Sequence, residues 1–490
     1  MSMKIENNKI VVLNPSTLDE VGKVDITDVE KVHLCIDSSK KYKEWSSLSL
    51  KDRCKAITKF RKAIVANADL IQNTLKSETG KKDFDVFVEY FTVLEHLKHM
   101  PSIAKKSLKK EFRNSGLMKN KKSFVVYEPL GVAGIISPWN YPFATPIISS
   151  PEALIAGNNV VLKPSEHTPL TPQVVKRIWD EHIGYKDAFQ IINGCGDIGK
   201  ELVESDSIDI VCFTGSTKVG KLIAQQCAKN LKPVLLELGG KDPMIVLKDS
   251  NLDRAVESAA FGGLSNAGQT CISVEEVFVE NEICEKFINK ISKKIKSISS
   301  GAAKSNDLGP MIVSENMEKV EEHLKQVDGT CNIIRGNNNK DGRYIAPTLV
   351  IEPPEDSRIV NEETFGPVIT IRSFDNEEHL LSMIHKTGYG LSASIFGKNK
   401  KRITQIASSI KTGNVSINDV LTHYGIASLP FGGEGQSGIG RSHGPEGLRS
   451  LCRIKSIVVN KFNFINEPWW FGRPAFIEES LKKIVKLLYR

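Results

Sequence analysis

The order of apolar runs in this 490-residue chain predicts an α/β protein of two doubly wound lobes with a small β element. Three observations carry that expectation. Between 159 and 247, short apolar runs alternate with amphipathic stretches of about 10–15 residues, the signature of a mostly parallel sheet with helices on its faces. A second alternating region follows from 253 to about 420. At roughly 150 residues per domain, the length asks for about three units.

Residues 28–45, 49–77 and 84–99 read as three helices. Ile57, Phe60 and Ile64 recur at helical spacing in the second, with Ser49 as its N-cap and Gly80 as its stop. Phe84, Phe87, Val88, Phe91, Leu94 and Leu97 mark the third. A Lys-rich segment, 105–122, breaks the pattern. SFVVYEP and GVAGII are then expected as a β pair split by Pro129 and Gly131.

NVVLK (159–163), AFQII (188–192) and IDIVCF (208–213) are the next strands, followed by helices near 171–183, 197–204 and 217–229. VLLEL (234–238) and MIVL (244–247) continue the series, and VFVE, TLVI, VITI, ASIFG and NVSIN supply the second one. No internal repeat or low-complexity linker interrupts them.

Composition narrows the function classes. Hydrophobic residues make up 40% and charged residues 25%, ordinary values for a globular protein with a large core. The net charge of +8 comes from 66 basic against 58 acidic residues, and no Lys/Arg block is interleaved with aromatics, so a nucleic-acid face is not expected. Nine cysteines lack paired spacing, no Cys-x-x-Cys occurs and the ten histidines form no ligand cluster. The expectation is a reduced, cytoplasmic chain without a metal site. MSMKIENNKIVV has no apolar signal core, and no run approaches the roughly 20 apolar residues that cross a bilayer.

Four stretches offer chemistry. In GGLSNAGQTCIS (262–273) one cysteine, Cys271, stands among small residues that let a ligand and the backbone approach its sulfur. Those neighbours leave a nucleophile and a structural cysteine equally open. Phe213-Thr214-Gly215-Ser216-Thr217 ends a strand and opens a helix, where free N–H groups and the helix dipole would face an anion. A plain N-cap by Ser216 or Thr217 is the alternative. Leu222 stands where a P-loop needs Ser or Thr, which argues against nucleoside triphosphate chemistry. The G-x-G-x-x-G at 194–199 lacks its acidic partner about 20 positions on and is a weak match.

Glu237-Leu-Gly-Gly-Lys241 puts a carboxylate at the end of an apolar strand, next to a flexible diglycine. Burial there would raise its pKa towards that of a general base; a strand-end salt bridge is the alternative. Pro138-Trp139-Asn140-Tyr141-Pro142 stiffens one amide that could donate to an oxyanion, or packs as a turn.

Taken together, PWNYP (138–142), LKPSE (162–166), FTGS (213–216), ELGGKDP (237–243), AGQTC (267–271), EETFGPV (362–368) and PFGGEGQSGIGR (430–441) resemble the aldehyde dehydrogenase superfamily in order, from about residue 10 to about 460. AGQTC and the segment from Asn418-Asp419 through His423 to PFGG are most similar to the branch called class 3.

The resemblance implies an NAD(P)-dependent, non-acylating enzyme. It implies a Rossmann-like cofactor domain (1–110 and 131–238), a catalytic domain (239–450), oligomerisation strands (111–130 and 451–465) and a C-terminal tail (466–490). Cys271 would be the nucleophile and Glu237 the base, with the Asn140 side chain and the Cys271 N–H as the oxyanion hole. Trp139, Gly215 and Ser216 would line the cofactor site, with Ser216 on the pyrophosphate. Lys163 and Glu166 would meet the adenosine ribose; Glu363 would hold the nicotinamide ribose, with Phe365 near the ring. NAD is the first choice of cofactor and NADP the second. A semialdehyde substrate and coenzyme A as acyl acceptor are the alternatives within the class; a thiol hydrolase or a non-catalytic structural protein lies outside it.

SFVVYEP (123–129) and IKSIVVN (454–460) resemble the family's oligomerisation strands, so a homodimer or homotetramer is expected; pairing of the two within one subunit is the alternative. In the tail, Ile477, Leu481, Ile484 and Leu488 share a helix face, with Lys482, Lys483, Lys486 and Arg490 around it. Packing on its own subunit or a partner is the first expectation and a membrane surface the second.

Overall fold

The computed structural model describes residues 3–338, 343–462, 466–467 and 469–489. Residues 463–465 of the second expected oligomerisation stretch, and residues 468 and 490 of the tail, lie outside them. The chain divides into two compact units, one of residues 1–108 and 128–453 and one of residues 109–127 and 454–490.

The first unit is built on two sheets. The six-stranded sheet runs Gly438–Ile439, Val234–Glu237, Ile210–Thr214, Val132–Ile136, Asn159–Lys163, Phe189–Ile191. It is parallel except for Gly438–Ile439, which returns from far down the chain to pair antiparallel with Leu236 and Glu237. The seven-stranded sheet runs Asn332–Arg335, Thr348–Ile351, Val368–Phe374, Val274–Glu280, Asp242–Val246, Ser392–Phe396, Asn414–Ile417. Only Asn332–Arg335 is antiparallel there. Near-continuous Val, Ile and Leu in the central strands reflect burial on both faces. Val161, Val211 and Leu236 pack against Ile198, Leu202 and Ile223 on the first sheet. Val277, Ile371 and Met244 pack against Phe287 and Ile291 on the second.

The helices follow the sequence with three adjustments. The first spans Val29–Lys41. The second breaks at Asn67 into Leu50–Ala66 and Ala68–Thr79, with Ser49 capping the Asp52 N–H and Gly80 ending it in a left-handed conformation (φ 65°). The third runs from Asp83 through Pro101 to Ser107, because Ala104 and Ser107 continue the buried stripe beyond the proline.

The expected β pair is corrected. Lys121–Pro129 pairs with Glu111–Arg113 and Cys452–Asn460 in the second unit's three-stranded sheet, whereas Val132–Ile136 enters the parallel sheet of the first. Pro129 has no N–H to donate to a ladder, and Gly131 (φ 142°) turns the chain where a Cβ would sit 2.1 Å from the Asp209 carboxylate. The two strands expected to join subunits therefore neighbour each other within one chain, with Cys452–Asn460 at the sheet edge. The sequence reading also missed an N-terminal sheet of Met3–Glu6, Lys9–Leu13 and Glu20–Asp25. Asn7 and Asn8 (φ 48° and 60°) form its first turn, the two-residue turn that Asn favours.

No helix among the described residues is long and apolar enough to cross a membrane. All nine cysteines are free.

Candidate active site

Loops that leave the strands of the six-stranded sheet and loops that enter Val274–Glu280 and Val368–Phe374 surround one cavity of about 610 Å³ in the first unit. Trp139, Asn140, Gly215, Ser216, Glu237, Cys271, Glu363 and Phe365 line it. Lys163 and Glu166 do not. They form an ion pair of 3.0 Å at the carboxyl end of Asn159–Lys163. Burial pushes the Glu166 carboxyl up, but the Lys163 ammonium outweighs it and holds the group below its ordinary value.

Cys271 follows the helix Leu252–Leu264 and an irregular turn in which Asn266, Ala267 and Gly268 all have positive φ (53°, 54° and 72°). A Cβ on Gly268 would sit 2.0 Å from the Gly366 carbonyl oxygen, so the cysteine loop and the Glu362–Val368 loop meet backbone to backbone. Burial raises the Cys271 thiol far above its ordinary range. The carboxylates of Asp242, Glu363 and Glu237 add to the shift, and the Ile272 N–H opposes it. A thiol shifted in this direction needs a base or a nearby positive charge to assist its ionisation.

Glu237 ends its strand with one oxygen held and one free. Ser442 donates its hydroxyl to Oε1 at 3.0 Å, while Oε2 is shielded from solvent and has no hydrogen-bond partner. Burial pushes the carboxyl up to about 8. Gly432 in the PFGG loop leaves the space, since a Cβ there would lie 3.1 Å from Oε1. A half-satisfied carboxyl that titrates near neutrality has the chemistry of a general base.

The Asn140 amide is buried and donates to the Gln269 carbonyl at 3.0 Å. That bond fixes the side chain to the cysteine loop, two residues before Cys271, and uses one of its two N–H groups. Tyr141 OH meets Thr270 Oγ1 at 2.8 Å, a second tie between the same loops.

Gly239 and Gly240 read in the sequence as a flexible diglycine. Their role is close approach. A Cβ on Gly239 would lie 2.5 Å from Glu363, and one on Gly240 would lie 2.7 Å from the Cys271 carbonyl oxygen. Gly240 N–H donates to Glu363 at 3.1 Å. Burial first, and then Glu275, push the Glu363 carboxyl up to about 7. Phe365, held in a left-handed conformation (φ 56°), stands edge-on to Trp139 at 5.5 Å.

Sequence reasoning missed the pair that holds this loop. Glu275 accepts from the Thr364 and Phe365 N–H groups (both 2.8 Å) and from Lys241 Nζ at 2.6 Å, with both side chains buried. Lys241 stands in the ELGGKDP word, but nothing local indicates a partner 34 residues on. The expectation that no histidines cluster is also corrected. His96, Glu152 and His443 come together with side-chain atoms within 4.8 Å of one another. His443 Nδ1 meets Glu152 at 3.0 Å, and His96 Nε2 meets the Tyr424 carbonyl at 2.9 Å. Separations of 56 and 291 residues hide this group from a linear reading.

The turn at Thr214–Thr217 opens the helix Thr217–Ala228 onto the cavity. Ser216 is its N-cap, accepting from the Val219 N–H, so the plain-cap reading holds and the turn still presents a helix N-terminus to the cavity. The helix N-terminus and the buried acids Glu237 and Glu363 fit a nicotinamide dinucleotide, with its anionic pyrophosphate and cationic ring.

The model of the aldehyde dehydrogenase family matches residues 3–457, and the chain belongs to that family. It is an oxidoreductase of the NAD(P)-dependent aldehyde dehydrogenase type. Two curated relatives are each 31% identical: 4,4'-diapolycopene aldehyde oxidase from Methylomonas sp, covering 91% of this chain and 84% of the relative, and betaine aldehyde dehydrogenase from Bacillus subtilis, covering 92% and 94%. Among solved structures, betaine aldehyde dehydrogenase from Staphylococcus aureus in complex with NAD+ superposes with a TM-score of 0.88 at 30% identity, covering 95% of this chain and 94% of that one. An NADP dependent enzyme from E. coli gives 0.88 at 27%, covering 92% and 95%.

Proposed function

We propose that the protein oxidises an aldehyde to a carboxylic acid through a covalent bond to Cys271, with water activated by Glu237 as the acyl acceptor. The observation that carries this reading is the convergence of Cys271, Glu237 and Asn140 on one cavity, with Glu237 Oε2 unpartnered. Bound NAD(P)+ supplies the hydride acceptor.

Cys271 releases its proton through water to the bulk solvent, and its sulfur adds to the aldehyde carbon. The resulting alkoxide accepts from the remaining Asn140 N–H and the Cys271 backbone N–H, a contribution of about 3–4 kcal/mol per donor. Loss of hydride from that carbon leaves a thioester on Cys271. Glu237 then takes a proton from water, the hydroxide adds to the thioester, and the carbon–sulfur bond breaks to give the acid and the free thiolate. The presence of Glu237 favours hydrolysis over transfer to coenzyme A.

NAD is the preferred cofactor in this reading, with NADP second. Glu166 would accept from ribose hydroxyls and repel a 2′-phosphate, which the adjacent Lys163 partly offsets. The edge strand Cys452–Asn460 supports assembly of the chain as a homodimer or homotetramer. Cofactor reduction by added aldehyde tests the reaction. Activity should be lost in Cys271→Ala, the product should be the free acid whether or not coenzyme A is added, and wild-type turnover in that variant refutes the assignment.

A further inference from the structure

The aldehyde end of the cavity is apolar out to its mouth. Phe84, Val88 and Phe91 line it from the helix Asp83–Ser107, Phe261 lines it from Leu252–Leu264, and Leu421 and Ile426 line it from the loop before PFGG. Several of these are half in solvent: Phe84 is 63% exposed, Phe91 52%, Phe261 50% and Ile426 48%. Phe87 packs between Phe84 and Phe91 at ring distances of 6.4 and 6.2 Å and continues the strip onto the surface. Large apolar side chains gathered at a pocket mouth mark a surface that a ligand covers.

Charge selects further. Among the described lining residues there is no arginine, and Lys319 is the one lysine, facing Glu363. Asp85 and Glu89 are the ionisable groups beside the phenylalanines, and Glu89 is tied to the buried Lys81. A distal carboxylate would meet acids there, with no cation to receive it.

Building on the aldehyde-oxidising reading above, we infer that the substrate is an aldehyde without a distal carboxylate, on an extended apolar tail that lies along the Phe84–Phe91 strip. The test is a series of propanal, hexanal and decanal beside succinic semialdehyde and betaine aldehyde, each with NAD and with NADP. The expected result is a kcat/KM that rises about fourfold per methylene until the channel is filled. In Phe84→Ser/Phe91→Ser the decanal-to-propanal ratio should fall by about tenfold or more. A flat series, or a higher kcat/KM for either charged aldehyde, overturns the apolar tail and leaves the reaction standing. No reduction with any aldehyde overturns both.

The second unit is separately unusual in charge. Its 56 residues hold thirteen Lys and Arg against four Glu, a net +9, whereas the other 434 residues hold 53 basic and 54 acidic. Its terminal helix, Ala475–Leu488, has no buried residue. Leu481, Ile484, Val485 and Leu488 gather on one side of that helix and are 38–52% exposed, with Lys482, Lys483 and Lys486 on the other. Trp469, Trp470 and Phe471 precede it, 45%, 49% and 99% exposed. Glu467 anchors the start of the segment by pairing with Lys121.

An apolar helix face with lysines opposite and indole rings beside it matches the polarity gradient of a lipid headgroup layer. An anionic surface would neutralise the +9 that this unit carries. The geometry points to this helix lying in the interface of an anionic membrane. Cosedimentation of the full chain with phosphatidylcholine vesicles, with and without phosphatidylserine, tests it. Binding should require phosphatidylserine, weaken with salt, and drop about tenfold or more in Leu481→Glu/Ile484→Glu. Absence of binding, binding unchanged in the variant, or a variant whose only effect is to dissociate an oligomer overturns it.

Discussion

Replacing Glu237 by Gln removes the proposed base while keeping its shape and its bond from Ser442. The structure sets two magnitudes. A positioned general base is worth about 10²–10⁴-fold in rate, and Glu237 is assigned to thioester hydrolysis alone. Stopped-flow mixing of the Glu237→Gln enzyme with NAD and aldehyde should therefore keep a burst of reduced cofactor of about one per site, followed by turnover slowed at least about a hundredfold.

The second magnitude concerns stability. A carboxyl raised from 4.5 to about 8 costs the folded state a few kcal/mol once ionised, at about 1.4 kcal/mol per pH unit. Below pH 4.5 the group is protonated in both the folded and unfolded chain. Between 4.5 and 8 the unfolded chain gives up the proton while the folded one keeps it, so stability falls, and above 8 the full cost is present. The variant lacks this term, so its thermal midpoint should match wild type near about pH 4 and exceed it near about pH 9. Wild-type turnover should rise with pH through about 8, a limb absent from the variant. Loss of the burst together with turnover, or a variant with unchanged steady state, refutes the assignment of Glu237.

Three further outcomes follow from contacts at the site. Asn140→Ala should lower kcat by about 10²–10³-fold, measured at saturating aldehyde, because one oxyanion donor and the tie to Gln269 are lost together. Lys241→Met leaves Glu275 buried without its counter-ion, which should cost about 3–5 kcal/mol in denaturant unfolding and raise the KM for the cofactor as the Phe365 loop loosens. Gly268→Ala places a Cβ 2.0 Å from the Gly366 oxygen at φ 72° and should lower the thermal midpoint or abolish folding, while Ala267→Gly, at φ 54°, should be tolerated.

The parts legible in the sequence are those whose signal is local. Asn159–Lys163 is built on the apolar run Val160-Val161-Leu162 and Thr217–Ala228 opens on its own cap, so both stand within a residue of their expected bounds. The candidates Glu237 and Asn140 are legible because strand-end motifs in an α/β sheet converge on one side, and Cys271 because its small neighbours mark a close approach. What escapes depends on distance along the chain. Lys241–Glu275, His443–Glu152 and the return of Gly438–Ile439 to Glu237 are contacts between residues that share no periodicity. The diglycine misleads because glycine serves both bending and close approach, and only the neighbouring Glu363 decides between them. The Lys121–Pro129 pairing fails for a similar reason, since its partners lie on either side of it in sequence at 111–113 and 452–460.

The claim that the reaction runs through Cys271 is tested most directly by trapping the acyl enzyme. Glu237→Gln protein is mixed with NAD and aldehyde, quenched in acid within the burst, digested and mapped by mass spectrometry. The account predicts one acyl group per chain, on the peptide that carries Cys271, with the other eight cysteines unmodified. A burst of reduced cofactor with no acyl group on Cys271, or with the acyl group on another residue, contradicts it.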